Sequence, residues 1–241
     1  MISKPLMKQI LKSNLKLFLI FTGVQCLLIS LLMIVYTPSL GTLIDFAGLH
    51  FFVMLAPIFS MIYVIITGTR MIAGQVDKGN MGYTLSSPVT RTQVTLTNAL
   101  FLAGSLVVMY ALIAVFGIGV GAIVHPGELD NGAIIGLSLG AVALQLAISG
   151  IVFCASCIFN RTNRALIFGA GLPIIFYASN LLATVSTSLA FFKYFSLLTL
   201  FDAKAIIGGQ SYALNFFVLA GAAVILYAAG MKVFKEKDLP L

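Results

Sequence analysis

Apolar positions fill six long intervals of the chain, and the charged residues stand between them. The charge-free intervals are residues 17–44, 46–69, 92–127, 131–160, 165–192 and 205–231. A helix rises about 1.5 Å per residue, so about 20 apolar residues cross a hydrocarbon core roughly 30 Å thick. Helices are expected because lipid cannot satisfy unpaired backbone groups, and the alternation typical of barrel strands is missing. The apolar centres predict spans at about residues 17–36, 51–68, 94–124, 133–159, 165–190 and 213–233.

The composition of the chain supports this membrane-spanning interpretation. Of its 241 residues, 60% are hydrophobic and only 9% are charged, and the mean hydropathy is +1.09. A soluble domain carries about 25% charged residues and could not bury so much apolar surface. We therefore predict an all-α polytopic membrane protein with a single transmembrane domain over residues 1–241.

The charged residues divide unequally between the two sides of a six-span topology. One side holds twelve Lys and Arg with three acids, a net charge of +9, and the other holds two Lys with four acids, a net charge of −2. The twelve basic residues are Lys4, Lys8, Lys12, Lys16, Arg70, Lys78, Arg91, Arg161, Arg164, Lys232, Lys235 and Lys237. Since cytoplasmic loops are enriched in Lys and Arg, both termini are predicted to be cytoplasmic. The basic charge therefore follows from topology and is no evidence for binding to nucleic acid.

Four lysines recur at every fourth position of the N-terminal segment. Lys4, Lys8, Lys12 and Lys16 would form one slowly drifting stripe along a helix, flanked by apolar residues. This pattern predicts an amphipathic interfacial helix at residues 1–16, whose lysines anchor it beside the anionic headgroups of membrane lipids. The alternative is a simple positive flank that orients the first span. A cleaved secretory signal is disfavoured because the following apolar run exceeds the roughly 7–15 residues of a signal core.

Chemically reactive side chains are scarce inside the predicted spans. No Asp, Glu, Lys or Arg lies at mid-membrane depth in any of them, whereas gradient-coupled carriers often place ionisable groups there. Cys26, Cys154 and Cys157 all fall within spans and lack a second ligand pair, so we predict packing residues and no metal or redox site. No constellation of nucleophile, base or metal ligands is evident. We predict no catalytic residue and no enzymatic activity in this chain.

The loop at residues 69–93 is the longest predicted cytoplasmic segment after the N-terminus. Its apolar residues favour a short helix, and Pro88 disfavours helical geometry at the residue before it, so this helix is expected to end near Ser86. Thr90 and Gln93 match a capping box, which predicts that the helix of the third span begins there. A short helix between two spans is well positioned to transmit an applied force to both of them.

Residues 191–212 are expected to form an outer re-entrant or interfacial element. Aromatic residues and leucines crowd its first half, interrupted by Lys193 and Asp202, and the apolar stretch is too short to cross a bilayer. The alternative is an ordinary exterior loop with an apolar patch.

Glycine and proline mark further features inside the spans. The pairs Gly117–Gly121 and Gly136–Gly140 have the spacing that permits close approach of helices. Pro57 and Pro173 are expected to kink the second and fifth spans.

The motif in the 69–93 loop resembles the cytoplasmic motif of type-2 ABC exporter permeases. In that family an acidic residue precedes a glycine, a short apolar helix and Pro-Val-Ser-Arg, and Asp77, Gly79, Pro88 and Arg91 match these positions. The chain departs from the usual residues at Thr90 in place of Ser, Asn80 in place of Thr and Asn98 in place of Lys. The similarity extends over the whole chain, because an interfacial N-terminal helix, six spans, an apolar outer element and a basic tail all fit the type-2 architecture.

This resemblance implies a partner and a place in the cell. Members of the family are multi-pass proteins of the prokaryotic cell membrane that pair as homodimers or heterodimers. Each copy docks an ATP-hydrolysing subunit through the loop after its second span. The resemblance therefore implies an ATPase contact that includes Asp77, Gly79, Tyr83, Pro88 and Arg91.

The leading hypothesis is a permease subunit of an ATP-driven exporter. The chain has no Gly-x-x-x-x-Gly-Lys-Ser/Thr phosphate loop, so ATP and Mg would be bound by a separate P-loop ATPase and no cofactor is expected here. Uncharged spans suit an amphipathic or hydrophobic cargo, such as a peptide, a drug or a lipid-like molecule. One alternative is a gradient-driven secondary transporter or channel, which an inverted repeat between residues 1–124 and 125–241 would favour. Another is a non-transporting membrane scaffold or sensor component.

Overall fold

The computed structural model describes residues 3–86, 88–185, 191, 196–210 and 212–238. Throughout these residues the regular structure is helical, without strands. The α-helices are α1 (Lys4–Val35), α2 (Leu43–Ala47), α3 (Ala56–Met71), α4 (Ala73–Asp77), α5 (Asn80–Ser86), α6 (Arg91–Val124), α7 (Asn131–Ile158), α8 (Thr162–Val185), α9 (Ala203–Ile207) and α10 (Ala213–Glu236). Short 3-10 turns occupy Pro38–Leu40 and Leu197–Leu200.

Six of the helical segments are long and apolar enough to cross a membrane, by length and composition. Five of them are α1, α6, α7, α8 and α10, and the sixth is the run Leu43–Asp77, which comprises α2, a π-helical stretch, α3 and α4. The described residues therefore confirm the prediction of six helices that are long and apolar enough to span a membrane. The helices extend beyond the predicted apolar centres because helical geometry continues into the polar flanks. Residues 186–190, the end of the fifth predicted span, lie outside the described residues.

The first helix joins two segments that the sequence pattern treats separately. Helix α1 runs from Lys4 to Val35 in 32 residues without interruption, so the division at residue 16 is not a helix boundary. Lys4, Lys8, Lys12 and Lys16 lie exposed along its N-terminal half. The lysine-bearing segment is thus the beginning of the first apolar helix.

The second long helix changes its hydrogen-bonding pattern just before Pro57. Residues Gly48–Leu55 are π-helical, and the N–H of Ala56 donates to the carbonyl of Phe51, five residues earlier. Proline has no N–H to donate, which disrupts the regular ladder of an α-helix at that point. A π-helical stretch is a common way to accommodate such a disruption.

Helix α7 is the centre of the bundle. In its apolar core, 78% of the residues are buried, against 22–44% in the other five long helices. Its contact with α10 is close, because a Cβ added to Gly150 would lie 2.9 Å from the Leu226 Cβ, and one added to Gly230 would lie 3.1 Å from the Cys154 Cα. The outer helices keep large apolar side chains exposed, such as Ile123 at 82%. A hydrocarbon solvent would cover such surfaces without cost.

Uncharged polar side chains link four helices in the middle of the bundle. Gln25 of α1, Ser60 of α3, Tyr110 of α6 and Gln145 of α7 are all fully buried. The Ser60 hydroxyl donates to Gln25 Oε1 at 3.2 Å and lies 3.0 Å from the Tyr110 hydroxyl. The Gln145 amide donates to a backbone carbonyl of α3 at 3.2 Å. We refer to these four side chains as the central polar network.

The described part of the outer element 191–212 packs on α7. Its 3-10 turn and α9 place Phe201 and Ile206 against the helix, where a Cβ on Gly140 would lie 3.0 Å from either side chain. The carboxylate of Asp202 caps α9 by accepting from the N–H of Lys204 at 3.0 Å. Residues 192–195, which include Lys193, lie outside the described residues.

Candidate docking surface at the basic end

The termini of the described chain and two turns meet at one end of the bundle, which we call the basic end. It comprises the start of α1, residues 70–86 and 88–91, residues 158–164 and residues 232–238. Buried apolar residues from seven helices join these segments. They include Ile10, Met71, Ile72, Val76, Met81, Val94, Phe101, Phe153, Phe234 and others of the same cluster. All twelve basic residues that the charge pattern grouped together belong to helices or turns that converge on this end.

Helix α5 lies against this end with one apolar face inward. Met81 is 1% exposed, and Leu85, one turn later, is partly buried against the same cluster. Burial of the Met81 side chain contributes about 2 kcal/mol. Tyr83, on the other face of the helix, is 81% exposed. The helix is therefore held from beneath and presents an aromatic ring outward.

The turn between α4 and α5 depends on Gly79. Its φ is +71°, in the left-handed region that side chains with a Cβ rarely adopt. A Cβ at this position would have no neighbour within 4 Å. Glycine is thus required here by the backbone and not by crowding.

Asp77 connects the end of the second long helix to the start of α8. Its Oδ2 accepts a hydrogen bond from the backbone N–H of Thr162 at 3.2 Å. The first N–H groups of a helix have no partner within the helix, and a carboxylate also interacts favourably with the N-terminal dipole. Movement of the α4–α5 turn would therefore be passed to α8.

Arg91 connects the start of α6 to the C-terminal tail. Its guanidinium donates to the Lys237 carbonyl at 2.6 Å. The Lys237 ammonium in turn donates to the carbonyls of Cys157 and Ile158 at the end of α7, at 3.1 and 2.6 Å. Partial burial lowers the pKa of Lys237. These bonds tie three long helices together at one point.

The capping box predicted before the third span is present. The Thr90 side chain accepts from the Gln93 N–H at 3.3 Å, and the Gln93 side chain accepts from the Thr90 N–H at 3.0 Å. Helix α5 ends at Ser86, as Pro88 predicts.

The five residues implied by the family resemblance occupy different kinds of position. Asp77 and Arg91 are engaged in bonds within the chain, and Gly79 shapes the turn. Tyr83 and Pro88 are exposed. The structure brings all five to one end of the bundle, but only the last two present side chains that no described bond engages.

A pocket of about 550 Å³ opens between the α4–α5 turn and the α7–α8 turn. Asp77, Gly79, Asn160, Arg161 and Arg164 contribute to its lining, and both arginines are exposed. Guanidinium groups in this position can bind a carboxylate of an incoming chain. Sequence reasoning used these arginines only for topology, and no local motif marks the α7–α8 turn as part of the surface.

Across the described part of the chain, no group of three or more His, Cys, Asp or Glu side chains is placed to hold a metal ion. Helix α5, the α4–α5 turn and the α7–α8 turn lie together at this end as a candidate contact surface, which we call the docking surface.

Neither a scan against protein-family models nor a search of curated proteins finds a match to this chain.

Proposed function

We propose that this chain is the membrane permease subunit of an ATP-driven ABC transporter and that it exports an amphipathic or hydrophobic cargo. The observation that carries the proposal is the docking surface: Tyr83 is 81% exposed on a short helix whose flanks are bonded to several long helices. The proposal also rests on the resemblance of residues 77–91 to the coupling motif of type-2 exporters.

The bonds around the docking surface suggest how force would travel. A partner pressing on α5 moves the end of the second long helix directly, because α4 and α5 are separated only by the turn at Gly79. It moves α8 through Asp77 and α6 through the capping box at Thr90. Closure of the ATPase would shift these helices relative to α7, and rigid-body movements of this kind switch transporters between inward-open and outward-open states.

The partner supplies the chemistry that this chain lacks. No phosphate loop occurs in the sequence, so a separate P-loop ATPase binds ATP and Mg and hydrolyses the nucleotide. Two permease copies, identical or paralogous, enclose the path of the cargo. The basic end then faces the cytoplasm, in agreement with the distribution of lysine and arginine.

Affinity purification from the native membrane tests this function. We expect a P-loop ATPase to co-purify with the chain in mild detergent and to be identified by mass spectrometry. Tyr83→Ala should reduce its recovery, whereas Phe217→Ala, which removes a 70% exposed ring from α10, should not. The proposal is wrong if the wild-type chain brings down no P-loop ATPase, or if both variants lose it equally.

A further inference from the structure

Helices α1 and α6 enclose an apolar groove of about 300 Å³ that the docking surface does not use. Its α1 side includes Met7, Leu11 and Leu15, and its α6 side includes Leu100, Gly104 and Val108. Along α1 the groove reaches Phe18, so it extends for about 16 Å at the helical rise per residue. Its length and apolar lining match the shape and chemistry of an extended hydrocarbon chain.

One position in the lining of the groove, Gly104, carries no side chain, and no helix contact explains it. A Cβ built on Gly104 would meet nothing within 4 Å, and the residue is exposed. Glycines that serve close helix packing behave differently, since a Cβ on Gly230 would lie 3.1 Å from the backbone of α7. The absence of a side chain at Gly104 therefore leaves space for something other than a neighbouring helix of this chain.

Lysines lie along α1 beside the residues that line the groove. Lys4, Lys8 and Lys12 each stand three residues before a groove residue, Met7, Leu11 and Leu15 respectively, and residues three apart are neighbours on a helix surface. All three lysines are exposed. The first 44 residues contain no acid, and among the described residues none of these lysines forms an ion pair.

We propose that this groove binds one anionic phospholipid, with an acyl chain along Leu11, Leu15 and Gly104 and the phosphate beside Lys4, Lys8 and Lys12. The charge pattern selects this occupant over a zwitterionic lipid, because each lysine near an anionic headgroup adds to the attraction. It also disfavours a second copy of α1 as the occupant, since two such helices would bring like charges together. The site is independent of the proposed ATPase partner.

Native mass spectrometry of the full-length chain released from lipid nanodiscs tests the headgroup contact. The lipids used are phosphatidylglycerol and phosphatidylcholine with the same acyl chains. We expect retention of one phosphatidylglycerol per chain, about tenfold above phosphatidylcholine, and loss of that preference in the Lys8→Gln/Lys12→Gln variant. The matched variant Lys232→Gln/Lys235→Gln removes two exposed lysines from α10 at the same end and should keep it. If both variants lose the preference for phosphatidylglycerol equally, the overall charge of the chain explains the effect and the proposal is overturned.

A second pair of variants tests the groove itself. Gly104→Leu adds a large side chain to the lining of the groove and should abolish retention of the tightly held lipid. Gly119→Leu adds the same side chain to an exposed, uncrowded position of the same helix and should not. Equal melting temperatures in detergent would establish that both variants are folded. Undiminished lipid retention in Gly104→Leu contradicts the proposal, and a shift from dimer to monomer at constant lipid content would instead identify a second copy as the occupant.

Discussion

The middle of the bundle and its basic end both connect several helices through polar groups, but they do so in different ways. In the middle, the central polar network is fully buried and uncharged. At the basic end, Asp77, Arg91 and Lys237 are charged, remain at least partly exposed and bond to backbone groups at helix termini. Buried neutral bonds hold a bundle together without an ion in the membrane interior. Charged bonds at helix ends can follow the movement of a terminus while water still solvates them. We therefore expect the first region to contribute mainly to stability, and we propose that the second region transmits force in the proposed transporter.

The largest effect on stability is expected in the central polar network. Gln25→Ala removes the bond to Ser60 and the contact with Met109 Sδ at 3.1 Å, and it leaves a cavity in the packed centre. We expect a destabilisation of about 2 kcal/mol, measured as a lower Tm of the detergent-solubilised protein. Gln9→Ala, at an exposed position of the same helix, should leave the Tm unchanged. Equal shifts in the two variants would refute the assignment of stability to the network.

A smaller loss is expected at the turn before α5. Gly79→Val places a β-branched residue at a φ of +71°, which costs about 1–2 kcal/mol. The Tm should fall by less than in Gln25→Ala, and ATP hydrolysis by the proposed partner should become uncoupled from movement of the helices. Gly119→Val is the control, because that position has space and lies inside α6. If Gly79→Val changes neither the Tm nor the coupling, the turn contributes to neither stability nor transmission of force.

Loss of Arg91 should affect transmission more than stability. Arg91→Gln breaks the bond to the Lys237 carbonyl, at a cost of about 1 kcal/mol. We expect the ATPase to remain bound while ATP-dependent movement at the opposite end decreases. A cysteine placed at exposed Ser39 in a cysteine-free background reports this movement through its rate of labelling with a charged maleimide. If ATP changes this rate as much in Arg91→Gln as in the Lys232→Gln control, Arg91 plays no part in transmission.

The smallest effect on stability is expected at Tyr83. Because the ring is 81% exposed, Tyr83→Ala should change the free energy of unfolding by less than about 0.5 kcal/mol. Exposed aromatic rings that become buried in an interface often dominate binding, so the affinity for the proposed ATPase should fall about 30-fold. Titration of the purified ATPase onto the chain in nanodiscs measures this change. An unaltered Kd, or an equal loss in Phe217→Ala, would place the contact elsewhere.

Local features of the docking surface were predictable because local rules govern them. The restriction that Pro88 imposes on its predecessor and the reciprocal bonds of Thr90 and Gln93 act within a few residues. The helix end at Ser86 and the capping box were accordingly confirmed. The helical nature of the six spans follows in the same way from the length and composition of the apolar intervals.

Contacts between distant segments were not predictable from the pattern. Nothing in the sequence pairs Asp77 with Thr162 or Lys237 with the end of α7, since these contacts depend on how the helices are arranged in space. Glycine spacing gave a similarly incomplete result. Gly117 and Gly140 lie against the side chains of Ile29 and Ile206, whereas contacts of a glycine with the backbone of another long helix occur at Gly150, Gly169 and Gly230. A periodic pattern identifies a face of a helix but not the partner that covers it.

Site-specific photocrosslinking from position 83 tests the central claim most directly. A benzoylphenylalanine replaces Tyr83 on the docking surface, and in a control protein it replaces Ser39 at the opposite end, where the side chain is also exposed. After irradiation of native membranes, we predict that a P-loop ATPase is crosslinked from position 83 and not from position 39. Absence of a P-loop ATPase among the products from position 83, or equal crosslinking from both positions, would contradict the account.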